Sequence, residues 1–206
     1  LPPTPGVMEI PGEFDSAESR EWRCTKGIGG FASGTIAGSL ARRYHGLLVA
    51  ALAPPLRRTL VATKLEEVLS YGGVTWELGA NRWQSGSIAP EGHRFIERFR
   101  LEAGVPVWDY ACADALIEKR VWMEQGANTT YVRYRLLRAF ELADLGMKAL
   151  VNYRDYHSIT QADGWRMRVE AAPHGLVVTA FDGARPLRVL AAAATPGGGH
   201  HCYQGF

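Results

Sequence analysis

Apolar and polar residues alternate with a period of two along much of this chain. Thr130, Val132, Tyr134 and Leu136 alternate with Tyr131, Arg133 and Arg135, as in a strand with one buried face. Trp165 to Glu170 repeats the pattern, and Leu176 to Phe181 and Leu187 to Ala193 follow on either side of Asp182-Gly183, a strong hairpin signal. Thr59 to Tyr71 and Val74 to Leu78 flank Gly72-Gly73 and read as a hairpin in spite of some helical spacing in the first run. Phe95, Phe99 and Leu101 are expected on one strand face and Arg98 and Arg100 on the other. Val107 to Met123 reads as two strands broken near Asp114, then a turn at Gln125 to Asn128. Glu141 to Tyr153 is a further strand region, with a bulge expected at Gly146.

Residues 1–12, rich in Pro and Gly, are expected to form an extended lead-in, and Phe14 to Arg20 a single helical turn. No long amphipathic helix is predicted. Many short strands at regular turn spacing predict an all-β fold, a large antiparallel β-sandwich. A length of 206 residues suits one sizeable domain over 1–206.

The stretch from Glu21 to Leu52 breaks the strand rhythm. After a short strand at Glu21 to Thr25, Gly27, Gly29, Gly30, Gly34 and Gly38 mark an irregular segment. Five glycines in twelve positions carry a large entropic cost, so the backbone there must turn tightly or approach something closely. A polar cluster follows, Arg42, Arg43, Tyr44 and His45. Gly46 to Leu52 is then a buried strand, ended by Pro54-Pro55. The cluster is thus expected at the start of a rigid strand, with Arg42 and Tyr44 facing one way and Arg43 and His45 the other.

Composition narrows the function classes. A net charge of +2 argues against a polyanion-binding surface, so no nucleic-acid partner is expected. No apolar run approaches the roughly 20 residues of a membrane span, and Leu1 to Gly6 lacks the features of a signal peptide. Cys24, Cys112 and Cys202 are odd in number and scattered, which fits no disulfide framework and no metal spacing. A reduced, cytoplasmic setting is the expectation.

Four features bear on chemistry. Gly27 to Ala32 fits a dinucleotide fingerprint in letters, but no buried apolar strand precedes it, Gly34 and Gly38 oppose a following helix, and no acidic residue lies between Glu21 and Glu66; a glycine-rich link between strands is the better reading, and no cofactor is expected. Arg42, Arg43, Tyr44 and His45 combine forked donors with rings, which suits sugar hydroxyls or a carboxylate, or an ordinary solvated surface. Arg154, Asp155 and His157, with Asn152, Tyr153 and Tyr156 between and beside them, form a second polar-aromatic group, read as a structural network or a substrate contact. The His and Asp there lack a third metal ligand or a nucleophilic serine motif, so no metal is expected. Trp83, after Asn81-Arg82, is a candidate platform for the apolar face of a sugar; the other tryptophans are read as core. Glycosidases need two carboxylates across one bond. Glu66 and Glu67 are adjacent and point to opposite faces, so no catalytic residue is assigned.

The stretch K-G-I-G-G-F-A-S-G-T-I-A-G, followed by R-R-Y-H-G-L-L-V-A-A-L, resembles the N-terminal domain of bacterial and archaeal glycogen debranching enzymes, whose pattern is close to N-G-L-G-G-[YF]-A-S-G-T-x-x-G-x-x-x-R-R-Y-H-G-L-L-V-A. The chain departs from it at Lys26, where that family usually has Asn, and at Ser39-Leu40-Ala41. Arg154, Asp155 and His157 match a family segment that often reads R-D-x-H. The resemblance implies a β-sandwich that precedes an (α/α) barrel carrying the catalytic acids. It implies a parent glycoside hydrolase that cleaves α-1,6 branch points in glycogen-like glucans, an amylo-α-1,6-glucosidase. This domain would pack on the barrel and shape its cleft, inactive alone, with an α-glucan and the intramolecular barrel as partners. His200 to Phe206 resembles the start of the family's last strand region, so a longer parent chain is expected. Arg42, Arg43, Tyr44 and His45 would lie at the interface, with Arg154, Asp155, His157 and Trp83 as further candidates. The competing expectation is a stand-alone, non-catalytic α-glucan-binding module. An exposed apolar patch on one sandwich face would mark the docking side.

Overall fold

The computed structural model describes residues 7–9, 13–53, 56–159 and 166–199. The expectations for the lead-in beyond 7–9, for Pro54-Pro55, for Trp165 and for His200 to Phe206 lie outside the described residues. The chain forms the expected antiparallel β-sandwich. The first sheet takes β1 (Val7–Glu9), β9 (Ile96–Glu102), β10 (Val105–Cys112), β11 (Ala115–Met123) and β12 (Thr130–Arg138), in that order. The second takes β13 (Asp144–Asp155), β5 (Leu56–Tyr71), β4 (Gly46–Ala53), β3 (Phe31–Thr35) and β2 (Glu21–Thr25), with β6 (Val74–Glu77) also on β5. A hairpin of β7 (Ala80–Arg82) and β8 (Ile88–Glu91) and a small sheet of β14 (Arg168–Ala172), β15 (Gly175–Thr179) and β16 (Leu187–Leu190) complete the strands. The helix α1 (Phe14–Glu18) buries Phe14 and Ala17.

The two large sheets meet over one apolar core. Trp22, Ala32, Leu69 and Tyr71 come from the second sheet, and Ile96, Phe99, Trp108, Tyr110, Ile117 and Val121 from the first or its entry. Trp22 and Trp108 pack edge to face at 5.6 Å, and Phe99 meets Trp108 at 5.1 Å. Such pairs add about 0.5–1.5 kcal/mol beyond the area they bury. The Trp108 indole donates across the sandwich to the Ile36 carbonyl at 2.9 Å, so the core ring also fixes the second sheet. The opposite face of β4 packs Leu48 and Ala50 with Val61, Tyr153 and Leu187, which places the small sheet on that side.

Several expectations hold in detail. Gly72 (φ 60°) and Gly73 (φ 72°) make the β5–β6 hairpin, because two successive left-handed residues match the strand twist. Trp22 and Trp108 are core. Other expectations are corrected. The glycine-rich segment is not irregular throughout, since Phe31–Thr35 is the strand β3. Gly34 lies under Trp22, where a Cβ would stand 3.3 Å from the indole, so this glycine serves close packing rather than a loop. No bulge sits at Gly146, which pairs in register with Val68; the irregularities fall between Leu150 and Arg154. Leu101, expected inward with Phe99, is half exposed at the end of β9.

Several polar groups inside the sandwich are paired. Glu67 is buried and accepts from Lys119 Nζ and from the Tyr134 hydroxyl. Burial and the Glu67 charge push the Tyr134 phenol well up. Lys64 donates to the Ala80 carbonyl at 2.9 Å and to Asn81 Oδ1 at 2.7 Å, and burial pushes its amine down to about 8. Lys26 is wholly buried and donates to Asn128 Oδ1 at 2.6 Å. Asn128 in turn exchanges hydrogen bonds with the Ala51 amide and carbonyl, so Lys26 ties the glycine segment to the end of β4.

Candidate functional site

The residues Arg42 to His45 form a turn ahead of β4 rather than the start of that strand, closed by the His45 amide on the Arg42 carbonyl at 3.0 Å. The period of two therefore does not apply, and the expected facing is corrected. Arg42 and His45 turn towards Glu21, while Arg43 and Tyr44 turn towards the end of β13. Arg42 Nε pairs with Glu21 Oε1. His45 is buried, its Nε2 3.4 Å from the same carboxylate oxygen and its Nδ1 accepting from the Arg42 amide. Burial lowers its basicity, and Glu21 opposes that shift.

The outward pair, Arg43 and Tyr44, meets the second polar-aromatic group across more than a hundred residues of sequence. Arg43 Nη1 donates to the His157 carbonyl at 3.0 Å. The Tyr44 hydroxyl lies 3.2 Å from His157 Nδ1. Arg154 Nη2 donates to the Arg43 carbonyl, and its Nη1 reaches the carbonyls of Ser158, Tyr156 and Asp155 at 2.8–3.3 Å. Asp155 Oδ1 accepts from the His157 amide at 2.9 Å, which fixes the turn after β13. Arg154, Asp155 and His157 are thus structural partners of Arg43 and Tyr44, and Arg43, Tyr44, Asp155 and His157 are exposed at one corner.

Tyr156, named with the second polar-aromatic group, and Phe31 complete this corner. Tyr156 packs on Tyr44 at 5.6 Å, on His157 at 3.9 Å and on Phe31 at 6.4 Å. Arg58 lies over Tyr156 and donates to the Gly29 carbonyl at 2.8 Å and to the Tyr156 hydroxyl at 3.3 Å. Gly29, at φ 92°, presents that carbonyl from a left-handed conformation, which is what the glycine segment contributes here. Arg58 carried no sequence signal of its own, because only the β5–β13 register brings it beside Tyr156. Burial, and then the neighbouring Arg43 charge, push the Arg154 guanidinium below its ordinary value, with Asp155 opposing. Trp83 belongs to the β7–β8 hairpin instead, where its indole donates to the Ala89 carbonyl at 2.9 Å.

Among the described residues the corner holds donors, rings and one carboxylate, Asp155. Glu66 and Glu67 serve different partners, Asn81 for the first and Lys119 and Tyr134 for the second. Hydrolysis of a glycoside needs two carboxyl groups about 5–9.5 Å apart across the bond, and the described residues of the corner do not present such a pair. Among the described residues no group of His, Cys, Asp and Glu is placed to hold a metal ion, and no helix is long and apolar enough to cross a membrane.

Ile159 is exposed beside the corner, but the longest run of exposed apolar side chains lies elsewhere. Leu136, Leu137, Phe140, Leu142 and Met147 are all exposed, Leu142 at 92% and Phe140 at 80%. They follow the end of β12, the crossing between the sheets and the start of β13, an edge of the sandwich rather than a face. Asp144 pairs with Ser70 and Asp155 with Thr59, so β13 separates this rim from the corner by about 36 Å at 3.3 Å per residue.

Comparison with known proteins gives one family. No curated protein and no solved structure matches the chain. The family described as "Glycogen debranching enzyme N terminal" matches residues 20–204, a range that contains both halves of the corner. This chain belongs to the glycogen debranching enzyme N-terminal family.

Proposed function

We propose that this chain is the N-terminal β-sandwich domain of an amylo-α-1,6-glucosidase and that its Arg43–Tyr44–His157 corner faces the substrate cleft of the parent enzyme. In this reading the parent hydrolyses α-1,6 branch points in glycogen-like glucans. Its catalytic acids sit in an (α/α) barrel on which this domain packs. The observation that carries the reading is the convergence of Arg43 and Tyr44 with Arg154, Asp155 and His157 at an exposed corner. Two segments that each resemble a family pattern build one surface. Its residues position loops or sugar hydroxyls and move no proton to the glycosidic oxygen.

The test is turnover of a branched dextrin by the full-length enzyme carrying Arg43→Ala or Tyr44→Phe. The expected result is a fall of about ten-fold or more in kcat/KM for Arg43→Ala, equivalent to about 1.4 kcal/mol, with the melting temperature unchanged. Unchanged turnover removes the corner from the cleft.

A second reading, a glucan-binding module that works alone, is favoured by the exposed Tyr44 ring beside two donors, an arrangement that suits a sugar face. It requires this chain to bind maltoheptaose unaided. Calorimetric titration separates the two, because the cleft reading expects little or no heat without the barrel.

A further inference from the structure

The corner gathers positive charge that no acid balances. Several arginines elsewhere are matched with acids. Arg42 pairs with Glu21, Arg82 with Asp15 and Glu18, and Arg94 with Glu91. On the outer face of the first sheet, Arg100, Arg120 and Arg133 surround Glu118, with Asp109 and Glu102 on the same network. At the corner, Arg43, Arg58 and Arg154 make no ion pair among the described residues. Their acceptors are the carbonyls of His157, Gly29, Arg43, Asp155, Tyr156 and Ser158, plus the Tyr156 hydroxyl. Carbonyls orient a guanidinium without neutralising it. Among the described residues, Asp155 is the one carboxylate beside three guanidinium groups.

The geometry selects which of these charges is available. Arg154 is committed to four carbonyls, and Arg58 is wedged between Gly29 and Tyr156. Arg43 is exposed and directs only Nη1 inward, to the His157 carbonyl. Its Nε and Nη2 make no hydrogen bond among the described residues, which leaves a fork for a partner. The exposed His157 ring lies beside the fork, its Nδ1 3.2 Å from the Tyr44 hydroxyl. A planar fork of donors on a rigid backing is the arrangement that takes a carboxylate in two parallel hydrogen bonds. A neutral glucan hydroxyl leaves the surplus charge unmatched. The Tyr44 ring lies beside the fork and packs on Tyr156, and Arg with Tyr is the usual composition of a contact that dominates an interface.

We infer that the corner is a docking point for an Asp or Glu side chain on the protein body that packs against this domain, received by the outward fork of Arg43 with His157 beside it. The inference rests on the reading of this chain as a domain packed on a catalytic barrel, and adds the chemistry of the facing surface, which presents a carboxylate. Arg154 and Arg58 act as positioning residues, since they hold the carbonyls and rings that keep Arg43 facing outward.

Carbodiimide coupling in the full-length enzyme tests this, because it joins an amine to a carboxylate only at ion-pair distance. In Arg43→Lys the introduced amine is expected to give a cross-link, located by mass spectrometry, to an Asp or Glu outside these 206 residues. Arg43→Gln must lack it. Calorimetric unfolding of the same enzyme reads docking separately. One cooperative transition without the cross-link overturns the carboxylate assignment and leaves the packing intact. Two independent transitions overturn the packing, and the inference with it. A cross-link only to Asp155 also overturns it, since the charge is then satisfied within the domain.

Discussion

Arg43 and Arg154 hold each other by backbone rather than by charge. The Arg154 guanidinium donates to the Arg43 carbonyl, and the Arg43 guanidinium donates to the His157 carbonyl three residues beyond Arg154. Two like charges are therefore kept together by four carbonyls on one of them. The corner is a built element, and its parts differ in what each can lose.

Arg154 is the part whose removal costs most in stability. In Arg154→Ala the carbonyls of Arg43, Asp155, Tyr156 and Ser158 lose their common donor. A charged hydrogen bond contributes about 1.5–3 kcal/mol where water is excluded, and partial exposure brings the expected loss to about 1–3 kcal/mol. A lower urea midpoint with an unchanged slope is the expected reading. Arg154→Lys should recover little, since one ammonium cannot span the fork.

Inside the sandwich, Glu67→Leu is expected to cost about 3–5 kcal/mol, because it leaves the partly buried Lys119 and the Tyr134 hydroxyl without their acceptor. The double variant Glu67→Leu, Lys119→Met should regain most of that loss. Urea unfolding of the two single variants and the double gives the coupling directly. Additive losses would mean that the two groups do not act as a pair.

The first sheet should fail first in acid. Hydrogen bonds from Arg120 hold the Glu118 carboxyl down at about 2, with burial opposing and Arg133 and Arg100 assisting. A folded-state value below the ordinary one means that the unfolded chain takes up the proton first. The stabilisation is complete above about pH 4.5 and is lost as pH falls towards 2. Urea midpoints at pH 6, 4 and 3 should decline, and Glu118→Gln should start lower and decline less. An identical slope in that variant would assign the loss to other groups.

The rim at the far end of β13 should matter for association and little for folding. Phe140→Ser with Leu142→Ser removes two of the most exposed apolar side chains. The stability change is expected within about 0.5 kcal/mol, as at other surface sites. Light scattering at high concentration should show less self-association.

The sandwich was legible from alternation because one face of each long strand is buried. Thr130, Val132 and Tyr134 turn inward along β12 as their spacing requires, and Gly72-Gly73 specify their hairpin through backbone conformation alone. The failures have physical causes. Gly34 carries the same letter as a loop glycine, yet it sits in β3 because Trp22 leaves no room for a Cβ. Arg42 to His45 lie next to an apolar strand run, but a turn closed by His45 on Arg42 precedes that run and reassigns every side chain. The two halves of the corner were each visible as polar-aromatic clusters. Their meeting was not, because it depends on β13 lying beside β5 in a register that no local pattern encodes. The same holds for Arg100, Asp109 and Glu118, which become neighbours only when β9, β10 and β11 align.

The strand β13 carries the charged corner at one end and the apolar rim at the other. A body that grips the corner must extend along the whole sandwich margin before it also covers Phe140 and Leu142. If it is smaller than that, the rim is left for something else. The sandwich then acts as a ruler, setting the minimum breadth of any single neighbour that shields both ends.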